Sequence, residues 1–141
     1  PAPEIEDTFE RSVLQWNRRS EGKHAIMLQF YRALLLLRRT NPAFANSERE
    51  RMDISDDEWN GHIVIRRAFD ESEAICLMSF NDRDAELRCG PKGRHWKKIL
   101  DSSDAEWMGP GGLLPGRLEP EMSAHIRAYC IAVYERERAN E

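Results

Sequence analysis

The segment formed by residues 23–39 is the feature that most constrains the fold. Its apolar residues recur at the three- and four-residue spacing of a helical face. They are Ile26, Phe30, Ala33 and Leu37 on one line, Met27, Tyr31 and Leu34 beside it, and Leu28, Leu35 and Leu36, which widen the stripe. Asn41-Pro42 ends the predicted helix, because proline lacks an amide hydrogen and disfavours helical geometry in the preceding residue. One small sheet cannot cover so wide a stripe, so we predict that the helix lies between the strands that follow it and a body upstream.

Composition places the chain among ordinary globular proteins. Its 141 residues are enough for one domain with a core, and 40% of them are hydrophobic and 33% charged. No apolar run approaches the roughly 20 residues that cross a bilayer, so we predict no membrane span. The net charge of −4 argues against a nucleic-acid partner, because such partners usually bind a basic face. The chain opens Pro1-Ala2-Pro3 without methionine, which we interpret as the start of a fragment or a processed product.

The residue types that usually carry chemistry show no catalytic or metal-binding spacing. Cys76, Cys89 and Cys130 form no CxxC pair and lie in apolar segments, which is typical of reduced core residues in a cytoplasmic protein. The four histidines are far apart, and neither HxxxH nor HExxH occurs. The clustered carboxylates lie where turns are expected and are interpreted as turn formers. The sequence therefore predicts no catalytic residue, no metal and no cofactor.

The residues on either side of the long helix predict further elements. Thr8 is expected to cap a short helix whose apolar face carries four residues, namely Phe9, Val13, Leu14 and Trp16. After residue 46 the apolar residues alternate with polar ones, which is the two-residue period of a strand. Strands are predicted near residues 52–54, 63–65, 73–80, 85–89, 95–100 and 123–135, with 73–80 central. Asn60-Gly61 predicts a tight hairpin. The last run also has helical spacing, but its β-branched and aromatic content favours a strand. We therefore predict a mainly β fold, an antiparallel β-sandwich preceded by one long helix that packs on it.

The loop of residues 101–112 is the most distinctive non-repetitive segment. Gly109, Gly111 and Gly112 suggest backbone geometry that no larger residue accepts. Trp107 in this loop and Trp59 at the predicted hairpin tip are the candidate carbohydrate-binding residues, since an indole face can stack on a sugar ring. The competing interpretation is that Trp107 covers the sandwich core or docks on a neighbouring domain. Trp96 is expected in the core.

Three segments resemble bacterial malto-oligosyltrehalose trehalohydrolases, a family of the α-amylase superfamily. Residues 8–16 (TFERSVLQW) are similar to the family's TFxxSxLxW segment, and residues 30–44 (FYRALLLLRRTNPAF) resemble its barrel-closing helix with an LRRxxPAL ending. Residues 99–104 (ILDSSD), followed by Trp107 and residues 109–111, are similar to its LLDSxDxxWGGPG signature. Met108 replaces a glycine of that signature, and the tail from Glu119 onward is longer and more charged than in the family.

The resemblance implies a parent enzyme that hydrolyses the α-1,4 bond next to the trehalose unit of malto-oligosyl trehalose. The family's nucleophile and acid/base lie in its (β/α)8 barrel, and none of them maps onto this sequence. Residues 1–22 would then be a linker and short helix from the end of the barrel region, 23–41 the long apolar helix, and 42–141 the C-terminal β-sandwich domain. The implied partner is the catalytic barrel of the parent chain, and a related branching or debranching enzyme is the alternative parent.

Two other functions stay open on the sequence alone. The chain can be an α-glucan-binding module that presents Trp107 or Trp59. It can also be a free-standing protein that dimerises through its exposed apolar helix, since such a stripe drives association when nothing covers it.

Overall fold

The computed structural model describes residues 5–58, 61–90 and 93–137. Over these residues the chain forms an antiparallel β-sandwich of a six-stranded and a two-stranded sheet, preceded by helices. The helices are α1 (Glu6–Ser12), α2 (Gly22–Thr40) and α3 (Pro42–Ala45). The strands are β1 (Met52–Asp57), β2 (His62–Phe69), β3 (Ser72–Ser79), β4 (Ala85–Arg88), β5 (Trp96–Asp101), β6 (Arg117–Leu118), β7 (Ser123–Ile126) and β8 (Ile131–Arg136). The predicted fold class is confirmed.

The larger sheet has the order β1-β2-β3-β8-β5-β6, and β4 pairs with β7 in the smaller one. Each of these pairings is antiparallel. The predicted hairpin joins β1 to β2, which pair from Met52 with Arg67 to Asp57 with His62. β3 lies between β2 and β8 and is buried along most of its length, as its apolar residues on both faces predict.

The core has two layers, one on each face of the six-stranded sheet. The inner layer lies between the two sheets and includes Ile75, Leu77, Trp96, Ile126 and Tyr134, all fully buried. The outer layer is smaller. In it Cys76, Leu100 and Val133 of the sheet meet apolar side chains of α2. The predicted core positions of Trp96 and of the three cysteines are confirmed, and the cysteines are free.

Asn41 sets the boundary that the sequence predicts for the long helix. It is the C-terminal cap of α2 and also the N-terminal cap of α3, where its side-chain oxygen accepts a hydrogen bond from Ala43 N at 3.0 Å. Ser72 Oγ donates to the same oxygen at 3.2 Å. Pro42 occupies the first position of α3, where its missing N–H costs no helical hydrogen bond. One residue thus ends one helix, starts the next and ties both to β3.

Two local predictions are wrong. Thr8 lies inside α1, whose cap is Ile5, because the helix starts earlier than the first good capping residue. The run of residues 123–135 forms two strands, β7 and β8, which belong to different sheets. A turn separates them, with Tyr129 in the left-handed conformation at a φ of 47°. Hydrophobic alternation cannot reveal such a turn, since the residues on both sides of it are strong strand formers.

Glu73 joins four segments at one end of the six-stranded sheet. Its carboxylate accepts hydrogen bonds from Arg66 of β2 and Arg136 of β8, each at 2.8 Å, and forms an ion pair with Arg94, which precedes β5. Burial acts to raise the pKa of Glu73, but the hydrogen bonds from Arg66 and Arg136 and the charges of Arg66 and Arg94 together outweigh it, so the pKa lies below its ordinary value of 4.5.

This depressed pKa predicts a stability loss in acid. The ionised carboxylate contributes stability above its unfolded-state pKa, and the contribution disappears as pH falls through the folded-state value. We expect Glu73→Gln to lower the free energy of unfolding by about 2 kcal/mol at pH 7, with a smaller difference at pH 3. Urea unfolding at both pH values measures this. Glu86→Gln, at an exposed position of β4, is the control. An equal loss at both pH values would contradict the assignment.

Candidate functional site

One face of α2 packs on the outer face of the six-stranded sheet. Phe30, Ala33 and Leu37 of the first predicted line pack there, together with Leu34 of the neighbouring line. They meet Ile65, Met78 and Ile99 together with the buried residues of the outer layer. Every residue of α2 nevertheless keeps some exposure. The sheet therefore covers α2 incompletely.

The adjoining face of α2 is apolar and uncovered. Met27, Tyr31 and Leu35 follow one another at four-residue spacing and are 56–59% exposed, and Leu36 beyond them is 61% exposed. We call Met27, Tyr31 and Leu35 the free face of α2, whereas Leu36 points about 100° away from Leu35 and lines the cavity beside Trp107. Apolar side chains on a soluble monomer are rarely exposed in a continuous row. The over-wide stripe in the sequence is thus divided between a sheet-packed line and a free line.

The segment before α2 adds to this exposed apolar surface. Four of its residues are exposed by more than half, namely Phe9, Val13, Leu14 and Trp16. A 3₁₀ helix at Trp16–Ser20 lies against α2, so the two segments are neighbours. The prediction that these four residues share one helical face is wrong, because α1 ends at Ser12 and only Phe9 of the four lies in it. Within the described chain they belong to neither core layer. A further body that covers both surfaces would explain the exposure of these four residues and that of the free face.

Trp107 lies in a 3₁₀ helix at Ala105–Trp107 and contacts α2. Its ring meets that of Phe30 edge-to-face, with 5.1 Å between centroids and 66° between planes. The indole Nε1 is buried and has no hydrogen-bond partner among the described residues. A small cavity of about 240 Å³ lies beside it, lined by α2 residues and by Ile99, Leu100 and Glu106. The structure thus places this candidate ring against the long helix. Trp59 lies outside the described residues.

Asp101 organises the loop that carries Trp107. It is 1% exposed and accepts hydrogen bonds from Lys98 Nζ at 3.1 Å and from Ser103 N at 2.9 Å. A Cβ at Gly109 would stand 2.2 Å from the Ser103 carbonyl oxygen, and one at Gly112 would stand 2.6 Å from an Asp101 carboxylate oxygen. The predicted need for glycine at these positions is confirmed. Asp101 serves as a loop anchor with its own ammonium partner.

Met108 adopts a conformation that normally requires glycine. Its φ is 64° and its ψ 21°, the left-handed region in which a Cβ is strained. It is the residue that replaces a glycine of the family signature, and its side chain is 61% exposed. Met108 therefore holds a backbone conformation that glycine enters without a Cβ clash.

Few groups in the described chain are arranged for chemistry. No set of three or more histidine, cysteine or acidic side chains among the described residues is placed to hold a metal ion. Burial raises the pKa of the Cys76 and Cys89 thiols to about 11, so these thiols are protonated at neutral pH and are poor nucleophiles. In the described part of the chain, no helix is long and apolar enough to cross a membrane.

Two exposed aromatic residues escaped the sequence analysis. Phe80 follows β3 and is 60% exposed, and Tyr129 lies in the turn between β7 and β8 and is 72% exposed. Both were assigned to strands, where alternate side chains are buried. Asn81-Asp82 is a sequence signal for the turn after Phe80, whereas no sequence signal marks the turn at Tyr129.

Comparison with known proteins finds sequence relatives of one kind. The chain is 44% identical over 57 residues to a malto-oligosyltrehalose trehalohydrolase of Deinococcus radiodurans, a match that covers 40% of this chain and 10% of the relative. It is 36% identical over 66 residues to the enzyme of the same name from Brevibacterium helvolum, covering 47% of this chain and 11% of the relative. The matches thus span about a tenth of each relative, in its C-terminal region. No known family profile matches the chain.

Solved structures provide evidence for the fold. An α-amylase from H. orenii superposes on 78% of this chain and 20% of its own, with a TM-score of 0.54 and 21% identity. At that identity the likeness concerns the fold alone. The resemblance to the C-terminal region of malto-oligosyltrehalose trehalohydrolases, inferred from motifs, is confirmed by the matching relatives.

The strained Met108 gives a stability prediction. Met108→Gly should raise the free energy of unfolding by about 1 kcal/mol, because glycine enters the left-handed region without a Cβ clash and little packing is lost. Met108→Ala is the matched control, since alanine removes the side chain but keeps the Cβ. Denaturant unfolding compares the two. A glycine variant no more stable than the alanine variant would show that the position is unstrained.

Proposed function

We propose that this chain is the non-catalytic C-terminal domain of an α-glucan-active glycoside hydrolase. The parent enzyme resembles one that hydrolyses the α-1,4 bond next to the trehalose unit of malto-oligosyl trehalose and releases trehalose. It would act in trehalose biosynthesis as a cytoplasmic protein. The proposed division is a linker and short helix over residues 1–22, the long helix over 23–41, and the sandwich domain over 42–141.

The free face of α2 is the observation that carries the proposal. Met27, Tyr31 and Leu35 form an apolar row beside the sheet-packed line of the same helix. A helix that is apolar on more than one side needs cover on more than one side. We infer that the catalytic barrel of the parent chain supplies this cover and that the exposed residues of the preceding segment dock with it. The chain would then hold the end of the barrel in place.

The arrangement of the acidic groups supports a role without catalysis. Asp101 is buried and paired with Lys98, and Glu73 is enclosed by three arginines. Retaining and inverting glycosidases instead need two carboxyl groups on opposite sides of a bond that is open to substrate. Asp101 and Glu73, whose buried carboxylates are held in ion pairs, therefore act as structural anchors.

A glucan-binding role for Trp107 and Trp59 stays a prediction. The edge-to-face contact of Trp107 with Phe30 favours docking of this ring on α2 over presentation to a sugar. Dimerisation through the free face is the competing outcome for the isolated chain, because the same apolar row can bury itself against a second copy.

Hydrolysis assays test the non-catalytic role. We expect the 141-residue chain to release no trehalose from malto-oligosyl trehalose, because Asp101 and Glu73 are buried in ion pairs and the proposed catalytic carboxylates lie in the barrel of the parent chain. Turnover that disappears with Asp101→Asn or Glu106→Gln, and survives Glu86→Gln, would contradict the proposal.

Charged substitutions test the docking surface. Tyr31→Lys/Leu35→Lys should leave the unfolding free energy of the isolated chain within about 0.5 kcal/mol, because both side chains are exposed in it. In the full-length gene product the same pair should lower thermal stability, since it would bury two charges in the proposed interface. Ser55→Lys, at an exposed position of β1, is the control. Equal effects of the pair in both proteins would exclude this face as the docking site.

A further inference from the structure

We propose that Phe80 and Tyr129 form an aromatic platform that stacks on the sugar rings of a linear α-1,4-glucan. This inference rests on the proposed function, which supplies the class of ligand. It concerns another part of the molecule than the free face of α2 and assigns a ligand contact to neither Trp107 nor Trp59.

Backbone hydrogen bonds bring the two residues to one end of the sandwich. Ser79 N donates to Cys130 O at 2.8 Å, and Tyr129 N donates to Asn81 O at 3.1 Å, so Phe80 and Tyr129 lie on directly adjacent chain segments. Phe80 N in turn donates to Gly61 O at 2.8 Å, which fixes it beside the β1–β2 hairpin. Both side chains are exposed by more than half. Phe80 at the end of β3 and Tyr129 just before β8 thus lie on neighbouring segments, each with an exposed aromatic side chain.

The backbone at Tyr129 adopts the left-handed conformation. A φ of 47° is uncommon for an aromatic residue, and such outliers persist where the surroundings over-determine them. The turn is held by Asp84, which accepts from Ala128 N at 3.0 Å and from Arg127 Nη1 at 2.8 Å. Arg127 Nε also donates to Gly111 O at 2.9 Å. The strain is maintained for an exposed side chain, which gains little packing from it.

The chemistry around the rings favours a sugar over a protein or a nucleic acid. Asp82 and Arg83, which follow Phe80, are exposed and can exchange hydrogen bonds with hydroxyl groups. Within residues 80–84 and 127–130 the exposed large apolar side chains are these two aromatic rings, without aliphatic neighbours of the kind that fill protein interfaces. The net charge of −4 disfavours a polyanion. Aromatic faces flanked by hydroxyl-binding groups match a pyranose ring.

A titration of the 141-residue chain with maltoheptaose tests the platform. We expect amide shifts that cluster at residues 79–84 and 127–131 and saturate in the millimolar range, since a few stacking contacts supply little binding energy. Tyr129→Asn should weaken binding about fivefold, the loss of one aromatic contact. The same variant should be as stable as the wild type or more so, because asparagine tolerates the left-handed region better. Tyr129→Phe should bind like the wild type.

The stability measurement separates a ligand role from a structural one. If Tyr129 had only a structural role, Tyr129→Asn would have reduced stability and an unchanged affinity for maltoheptaose. That result would overturn the platform. Phe80→Ala provides a second, independent test, with the same expected loss of affinity. A flat titration, or shifts clustered at Trp107 instead, would also overturn it. These outcomes do not bear on the docking role of α2, since that role is tested by Tyr31→Lys/Leu35→Lys in the full-length gene product.

Discussion

The packing of one side of α2 on the outer face of the six-stranded sheet is the contact on which the rest of the structure depends. It closes the outer core layer over Cys76, Leu100 and Val133, and it positions the loop that carries Trp107 through the contact with Phe30. The same packing leaves Met27, Tyr31 and Leu35 outside. One side of α2 is therefore stabilised by packing on the sheet, while the other side leaves apolar residues exposed to solvent. The proposed role of the chain as a docked domain follows from that division.

Backbone strain at two exposed residues is a second feature of the molecule. Met108 and Tyr129 both hold bulky, exposed side chains at positive φ, where glycine or asparagine would be less strained. The Met108 loop is organised by the buried Asp101, and the Tyr129 turn by Asp84 and Arg127. The two sites differ in surroundings: Met108 follows Trp107, whose ring contacts α2, whereas Tyr129 lies on the segment next to Phe80 at one end of the sandwich. This difference is why a ligand role is inferred for Tyr129.

Much of the fold could be predicted from the sequence, because its signals are local and strong. The stripe of α2, the stop at Asn41-Pro42 and the hairpin at residues 57–62 each depend on neighbouring residues and are confirmed. The split of residues 123–135 could not be predicted, because the turn at Tyr129 is made by hydrogen bonds to residues 81–84, far away in sequence. The width of the stripe predicted a second covering body, but which line faces the sheet depends on the shape of that sheet. The exposure of Phe80 could not be predicted either, because it also depends on the shape of the sheet.

Thiol labelling of Leu35→Cys tests the central claim most directly. The natural cysteines are all buried, so a thiol reagent reports on the new side chain against a low background. We predict rapid labelling in the isolated 141-residue chain and strong protection in the full-length gene product, where the catalytic barrel would cover α2. Glu86→Cys on the two-stranded sheet should label equally in both. Equal labelling of Leu35→Cys in the two proteins, or a gene product no larger than this chain, would contradict the claim that α2 is shared between two domains.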